Sequence, residues 1–323
     1  MTLHSDLSAF LELVEFGRLS GKSRALHEQP LAQARSDFEA SSLILDPNPP
    51  GAVDVQALQL PTRDGAQLPA RLYRAAGQAQ QRLPVILYLH GGGYVVGSLD
   101  SHDSVCRRLA LDGRFAVLAP AYRLAPEYPF PTAVLDAEDS LKALPALADA
   151  LGLDLKRVAL AGDSAGATLA TVLAISAARE PQALGVVPCA QLLFYPVADI
   201  SVTRDSHRRY AEGYLLESAT LEWFYRQYTG EGAQRLDWRV SPLLAAAAPA
   251  QAPAYVAVAG HDPLRDEGLA YAEHLRAGGT SVTLQLEEGL SHDFLRMGGI
   301  VAEVEAIYAQ ALDWLARQGE VQA

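Results

Sequence analysis

The chain has little cysteine, little tryptophan and no excess of positive charge. Two cysteines among 323 residues, Cys106 and Cys189, cannot build a disulfide framework, so a reducing, cytoplasmic setting is the expectation. Lysine and arginine number 26 against 38 acidic residues, a net charge of −12. A surface of that sign repels phosphate backbones and anionic lipid, which argues against nucleic acid and membrane as partners. No apolar run reaches the roughly 18 residues that a membrane-crossing helix needs. The N-terminal run MTLHSDLSAFLELVEF carries acidic residues inside its apolar stretch, so it reads as an amphipathic helix and not as a secretory leader.

What is present is an ordinary globular balance, half hydrophobic and a fifth charged. Residues 1 to about 50 read as helical, with a polar break around Gly21 to Ser23 and a stop at Pro47, Pro49 and Pro50. Val53 to Leu60 and Leu68 to Tyr73 flank an Asp64-Gly65 turn and predict an antiparallel hairpin. Continuous apolar runs then recur at Val85–Leu89, Phe115–Ala119, Val158–Ala161, Gln191–Phe194, Tyr255–Ala259 and Val282–Leu286. Such runs suit strands covered on both faces. Helical stretches are expected between and after them, near 100–112, 132–149, 165–178, 265–277 and 299–317. Strands alternating with helices predict an α/β fold with a mostly parallel central sheet flanked by helices. Residues 201–230 break the rhythm with apolar residues at helical spacing. The expected organisation is a core of 51–200 and 231–323 under a helical cap of 1–50 and 201–230.

Two glycine motifs carry the chemistry. Gly162-Asp163-Ser164-Ala165-Gly166 stands between a strand run and a helix run, the setting in which G-x-S-x-G presents a nucleophile. The turn is tight enough that the positions two before and two after the serine must lack side chains. His90-Gly91-Gly92-Gly93 follows the strand run ending at Leu89. One histidine followed by three glycines arises by chance on the order of 0.4% of the time in such a chain. Backbone N–H groups freed of Cβ hindrance can face an oxygen that becomes negative during acyl transfer. Gly91, Gly92, Gly93 and Ala165 are the candidates for that oxyanion hole. A phosphate-binding loop would need a lysine and a hydroxyl residue that this motif lacks. His90 itself suits an anchor for the loop.

A serine hydroxyl needs a base, and the base an orienting acid. Of the eight histidines, His4 and His27 fall in the N-terminal helices, His102 and His207 in polar segments, and His274 among charges in mid-helix. His292 follows the last strand run, where an open α/β sheet gathers its catalytic groups. Asp262 follows the strand run before it, and the order Ser164, Asp262, His292 is one the fold supports. Asp266 is the rival acid, better suited to a helix start. His261 would point away from Asp262 on an extended backbone.

These residues bring a family into view. His90 to Ser98 (HGGGYVVGS), Tyr122 to Glu127 (YRLAPE), Gly162 to Gly166 (GDSAG) and Asp262 to Gly268 (DPLRDEG) resemble the bacterial hormone-sensitive-lipase-like carboxylesterases. The resemblance runs from about residue 40 to the end. It implies an α/β-hydrolase fold with a helical cap, and hydrolysis of short-acyl esters without a cofactor or metal. It implies Ser164 as nucleophile, Asp262 as acid, His292 as base, with Gly92, Gly93 and Ala165 supplying oxyanion N–H groups. Asp163 and the Tyr122–Glu127 segment fit as supports of the loops. Because many relatives dimerise, a homodimer is also expected. The family usually has glycine after the catalytic histidine, whereas this chain has Asp293, which could bond locally or raise the His292 pKa. Tyr94, Tyr195, Tyr214 and Trp223, with Phe194 and Phe224, are candidates to line the pocket for a small-molecule ester. A lipase, amidase or acyltransferase could use the same three groups. A non-catalytic relative such as the plant gibberellin receptors would lack the histidine.

Overall fold

The computed structural model describes residues 2–230, 232–246 and 249–318. Its frame is one eight-stranded sheet. The strands are β1 (Val53–Pro61), β2 (Gln67–Ala75), β3 (Leu83–Leu89), β4 (Ala116–Pro120), β5 (Leu153–Asp163), β6 (Ala190–Phe194), β7 (Ala254–His261) and β8 (Val282–Ser291). They are ordered β1-β2-β4-β3-β5-β6-β7-β8. β1 pairs antiparallel with β2 and β2 with β4, and every later pairing is parallel. The hairpin and the mostly parallel sheet are therefore both present as expected.

The helices are α1 (Ser5–Leu19), α2 (Leu31–Leu45), α3 (Asp103–Ala110), α4 (Thr132–Leu147), α5 (Ala165–Arg179), α6 (Asp205–Arg209), α7 (Ser218–Thr229), α8 (Arg265–Ala277) and α9 (Val304–Gln318). They cover both faces of the sheet. In β3, Val85, Leu87 and Leu89 enter one core with α4, α5 and α8, while Ile86 and Tyr88 enter the other with α3 and α9. Alternate side chains face opposite ways along a strand, so a strand buried twice must be apolar throughout. Neither cysteine forms a disulfide. No helix among the described residues is long and apolar enough to cross a membrane.

Several elements differ from their apolar runs. β5 begins at Leu153, before the run at Val158, because its polar start pairs with Leu83 and Pro84 ahead of a register shift. β8 continues to Ser291, carried past Leu286 by pairing with β7. α9 begins at Val304, since Gly298 and Gly299 sit in the turns before it. The segment 201–230 is not one helix. Leu215 has φ +72° between α6 and α7, which takes Leu215 and Leu216 out of helical register.

The N-terminal segment meets that insertion directly. Arg18 of α1 pairs with Glu217, and His27 Nδ1 lies 2.9 Å from Thr220 Oγ1 of α7. Arg35 of α2 reaches the main body, where it donates to the carbonyls of Val95 and Ala125 and pairs with Glu127.

Candidate active site

The serine turn follows from its glycines. Ser164 has φ +52° and ψ −121°, a conformation that costs a non-glycine residue of order 1–3 kcal/mol. A Cβ on Gly166 would stand 1.9 Å from the Leu89 carbonyl oxygen, and one on Gly162 2.4 Å from the carbonyl carbon of Gly166. Strand β3, the turn and helix α5 touch through backbone there, which no side chain would allow. The turn lifts Ser164 off the end of β5 onto the N-terminus of α5.

Asp262 follows β7 and His292 follows β8. His261 pairs with Ser291 after an irregularity in the β7–β8 ladder, which sets the next residues of the two strands side by side. A Cβ on Gly260 would stand 2.2 Å from the Glu288 carbonyl oxygen, so glycine is needed where the strands close up. His292 Nδ1 lies 2.7 Å from Asp262 Oδ2, and His292 Nε2 lies 2.9 Å from Ser164 Oγ. The other Asp262 oxygen accepts from the Leu264 N–H at 2.8 Å. Burial opposes the charged imidazole of His292. Asp262 outweighs it by charge and hydrogen bond, Asp293 adds to that, and the His292 pKa lies above its usual value.

The glycine loop sits opposite. Gly91, expected to share in the oxyanion hole, does not offer its N–H to the cavity: it donates to Asp163 Oδ1 at 2.9 Å. The N–H groups of Gly92, Gly93 and Ala165 have no acceptor among the described residues. Gly92 and Gly93 have φ of +111° and +60°, open to glycine and strained for anything else. The N–H of Ala165 stands in the first turn of α5, where the helix dipole favours negative charge.

The supports of this loop include Asp163, as expected, and His102, which the sequence places only in a polar segment. Asp163 is buried and also accepts from Tyr88 at 2.5 Å, with His102 Nε2 at 3.3 Å. Burial pushes its pKa up, but His102 and the Tyr88 hydroxyl outweigh burial and hold it at about 2. His102 lies in a polar-looking segment, and only the fold turns its ring inward. His90 is bonded through Nδ1 to the Gly91 carbonyl at 2.7 Å and stacks on Tyr122, whose hydroxyl donates to the His90 carbonyl. Burial lowers its pKa to about 4, so it stands neutral as an anchor. Asp266 accepts from the Ser206 N–H at 2.9 Å and ties α6 to α8.

Ser164 and His292 open into a cavity of about 490 Å³, lined from α1, α2, α7 and the loops between. Of the aromatic candidates, Tyr94 and Phe224 line it. Tyr195, Tyr214, Trp223 and Phe194 do not. Tyr195 is buried behind the site against His292 and Phe294. Tyr214 packs on Tyr210 and His261. Trp223 follows the helix turn away from the face that Phe224 presents to the cavity, and Phe194 faces Tyr255 in the core beneath the sheet. The lining that sequence missed is largely aliphatic: Leu13, Val14, Ile44, Val197, Leu216 and Leu221. Those residues look like ordinary helix and core positions until the fold brings them round one void.

Asp293 occupies a left-handed backbone position, φ +68°, which explains why glycine suits it elsewhere. Its carboxylate pairs with Arg296 at 3.0 Å. Among the described residues no group of three or more His, Cys, Asp or Glu side chains could hold a metal ion.

Comparison with known proteins places this geometry. A family model described as alpha/beta hydrolase fold matches residues 86–296, more than half the chain. An ethyl acetate hydrolase of Pseudomonas putida is 48% identical over 314 residues, covering 94% of this chain and 96% of that one. A carboxylic ester hydrolase of Mycobacterium tuberculosis, LipN, is 42% identical over 78% of this chain and 67% of its own length. Among solved structures, a thermostable esterase from Pseudomonas putida superposes with a TM-score of 0.91 at 29% identity, over 98% of both chains. An ester hydrolase from the Lake Arreo metagenome, crystallised with a bipyridine phosphonate derivative, gives 0.88 at 33% identity, over 98% of this chain and 99% of that one. The chain belongs to the α/β-hydrolase fold family, as its resemblance to the hormone-sensitive-lipase-like enzymes implied.

Proposed function

We propose that the protein is a serine carboxylesterase that hydrolyses short-acyl esters through Ser164, His292 and Asp262. One observation carries the reading: His292 spans Asp262 and Ser164 at 2.7 and 2.9 Å beside a cavity lined by Gly92 and Gly93, whose N–H groups have no acceptor among the described residues. Ser164 Oγ attacks the ester carbonyl as His292 Nε2 takes its proton. The carbonyl oxygen becomes negative and accepts hydrogen bonds from Gly92, Gly93 and Ala165. As the tetrahedral species collapses, the C–O bond breaks and His292 gives its proton to the departing alcohol. Water then adds to the acyl-enzyme by the same exchange, releasing the acid and restoring Ser164. Asp262 fixes the tautomer of His292 and favours its charged form.

The relatives named for ester hydrolysis support this substrate class, and the ethyl acetate hydrolase supports small acyl groups. We read residues 1–50 and 201–230 as the cap that covers the site, on the strength of the Arg18–Glu217 and His27–Thr220 contacts and their shared cavity. A fluorophosphonate probe tests the nucleophile. Fast labelling of the wild type, absent in Ser164→Ala, supports the reading; equal labelling of both contradicts it.

A further inference from the structure

The site has two unlike ends, and the base tells them apart. His292 Nε2 must reach the leaving oxygen to protonate it, so the alcohol part of an ester lies on the His292 side and the acyl part on the other.

The acyl end is closed. A Cβ on Gly93 would stand 2.2 Å from the Phe224 ring, so this ring lies against the glycine loop itself. Val197, Leu221 and Tyr225 line the same cavity, and all three are buried. On the esterase reading, this walled part of the cavity takes the acyl group.

On the base's side the cavity reaches the surface between α1 and α2, where Leu13 and Ile44 line it beside the polar Arg24, Gln29 and Asp37. Arg296, four residues beyond His292, stacks on the Phe38 ring at 4.1 Å and donates to the Phe38 carbonyl and the hydroxyls of Ser41 and Ser42. Helix α2 is thereby the neighbour on the base's side. Beyond it, Leu13 and Ile44 line the cavity while remaining 70% and 63% exposed. Phe16 and Leu19 of α1 and Leu43 of α2 are exposed as well. These five are among twelve exposed large apolar side chains described in the whole molecule, so nearly half gather on two adjoining helices. Phe10, Leu13 and Val14 share the face of α1 that lines the cavity, whereas Phe16, Leu19 and Leu43 do not line it. Leu13 and Ile44 are thus exposed apolar side chains at the cavity's edge, where a bound chain would cover them.

We infer that the preferred substrates pair a short acyl group with a long, unbranched apolar alcohol whose chain leaves the cavity past Leu13 and Ile44. This rests on the esterase reading above. Continuity argues for the substrate as the occupant, since Leu13 and Ile44 belong to the same void as Ser164 and His292. Glu12 and Glu15, exposed on α1, argue against an anionic lipid surface.

Two ester series with matched carbon counts test it: ethyl, butyl, hexyl and octyl acetate against ethyl acetate, butyrate, hexanoate and octanoate, all below their solubility limits. Octyl acetate and ethyl octanoate are isomers, so hydrophobicity alone cannot separate them. The expected kcat/KM rises about twofold per added methylene along the alcohol series, short of the ~4-fold of full burial, and falls along the acyl series. In Leu13→Ser/Ile44→Ser the ratio of octyl acetate to ethyl acetate drops at least fivefold. A flat or falling alcohol series, or a ratio unmoved by the double substitution, overturns the inference while ethyl acetate turnover still upholds the esterase. A change of oligomeric state in the double variant, or in a further series taken above the solubility limit a rate that jumps only there, assigns the Leu13–Ile44 surface to a second copy or an aggregate and likewise overturns it. No turnover of any ester instead sinks the esterase reading itself.

Discussion

The backbone N–H of Gly91 donates to Oδ1 of Asp163 at 2.9 Å, so the residue before the nucleophile holds the first glycine of the opposite loop. The tie joins the glycine loop to the serine turn, the two parts of the proposed oxyanion site, and leaves Gly92 and Gly93 to line the cavity. Asp163→Asn keeps the size of the side chain but sets amide hydrogens among donors from Gly91, Tyr88 and His102. The expected result is a kcat at least tenfold lower with KM nearly unchanged, because a displaced oxyanion donor weakens the transition state and not substrate binding. A kcat within twofold of wild type would show that the tie does not position the loop.

On the proposed mechanism, His292 and Asp293 set the acid limb of activity. Only neutral His292 can accept the serine proton, so kcat/KM falls as pH drops through its pKa. That pKa is raised above the ordinary ~6.5 of histidine, chiefly by Asp262 against the opposing effect of burial. Asp293 raises it further, so Asp293→Asn should move the limb toward lower pH while retaining an oxygen for Arg296. Profiles of kcat/KM from pH 5 to 9 for both proteins check this. A limb that stays in place or moves upward in the variant would contradict the assigned influence of Asp293.

Glu267 gives an opposite test, on stability at higher pH. Its carboxyl is buried, Oε1 accepts from the Ala198 N–H at 2.8 Å, and Oε2 lies 3.6 Å from His207 Nε2. Burial raises its pKa to about 8, with Asp199 and Asp262 adding to the effect and Arg204 opposing it. A folded-state pKa above the unfolded value means stability that is complete below about pH 4 and is lost as pH rises toward 8. Glu267→Gln keeps the acceptor for Ala198 and removes the titration. Its melting temperature should therefore gain on wild type progressively between pH 5 and 8 and level off above. A difference independent of pH would show that Glu267 is ionised throughout.

Much of this architecture was legible because backbone sterics leave strong marks. Glycines at 162 and 166 are required by contacts as close as 1.9 Å, and continuous apolar strands record a sheet buried on both faces. The positions of Asp262 and His292 followed from strand ends, since the fold's switch to loop there is what presents them. The pocket was legible only in part: Tyr94 and Phe224 line it, whereas Tyr195, Tyr214 and Trp223 do not and pack on other groups. Cavity lining depends on which face of α1, α2 and α7 turns inward, and periodicity does not distinguish a face against a core from one against a void. Gly91 failed as an oxyanion donor for a related reason: three adjacent glycines look alike until a buried carboxylate takes one N–H. His102 was passed over because its neighbours Ser101 and Asp103 are polar.

Hydrolysis of p-nitrophenyl esters from acetyl to palmitoyl by the wild type and Ser164→Ala side by side is the most direct measurement of the central claim. The account predicts turnover that peaks at short acyl chains and falls at least ~1000-fold in the variant, leaving only what the remaining site provides. Equal rates for the two proteins on every ester would contradict the claim that Ser164, held by His292, is the nucleophile.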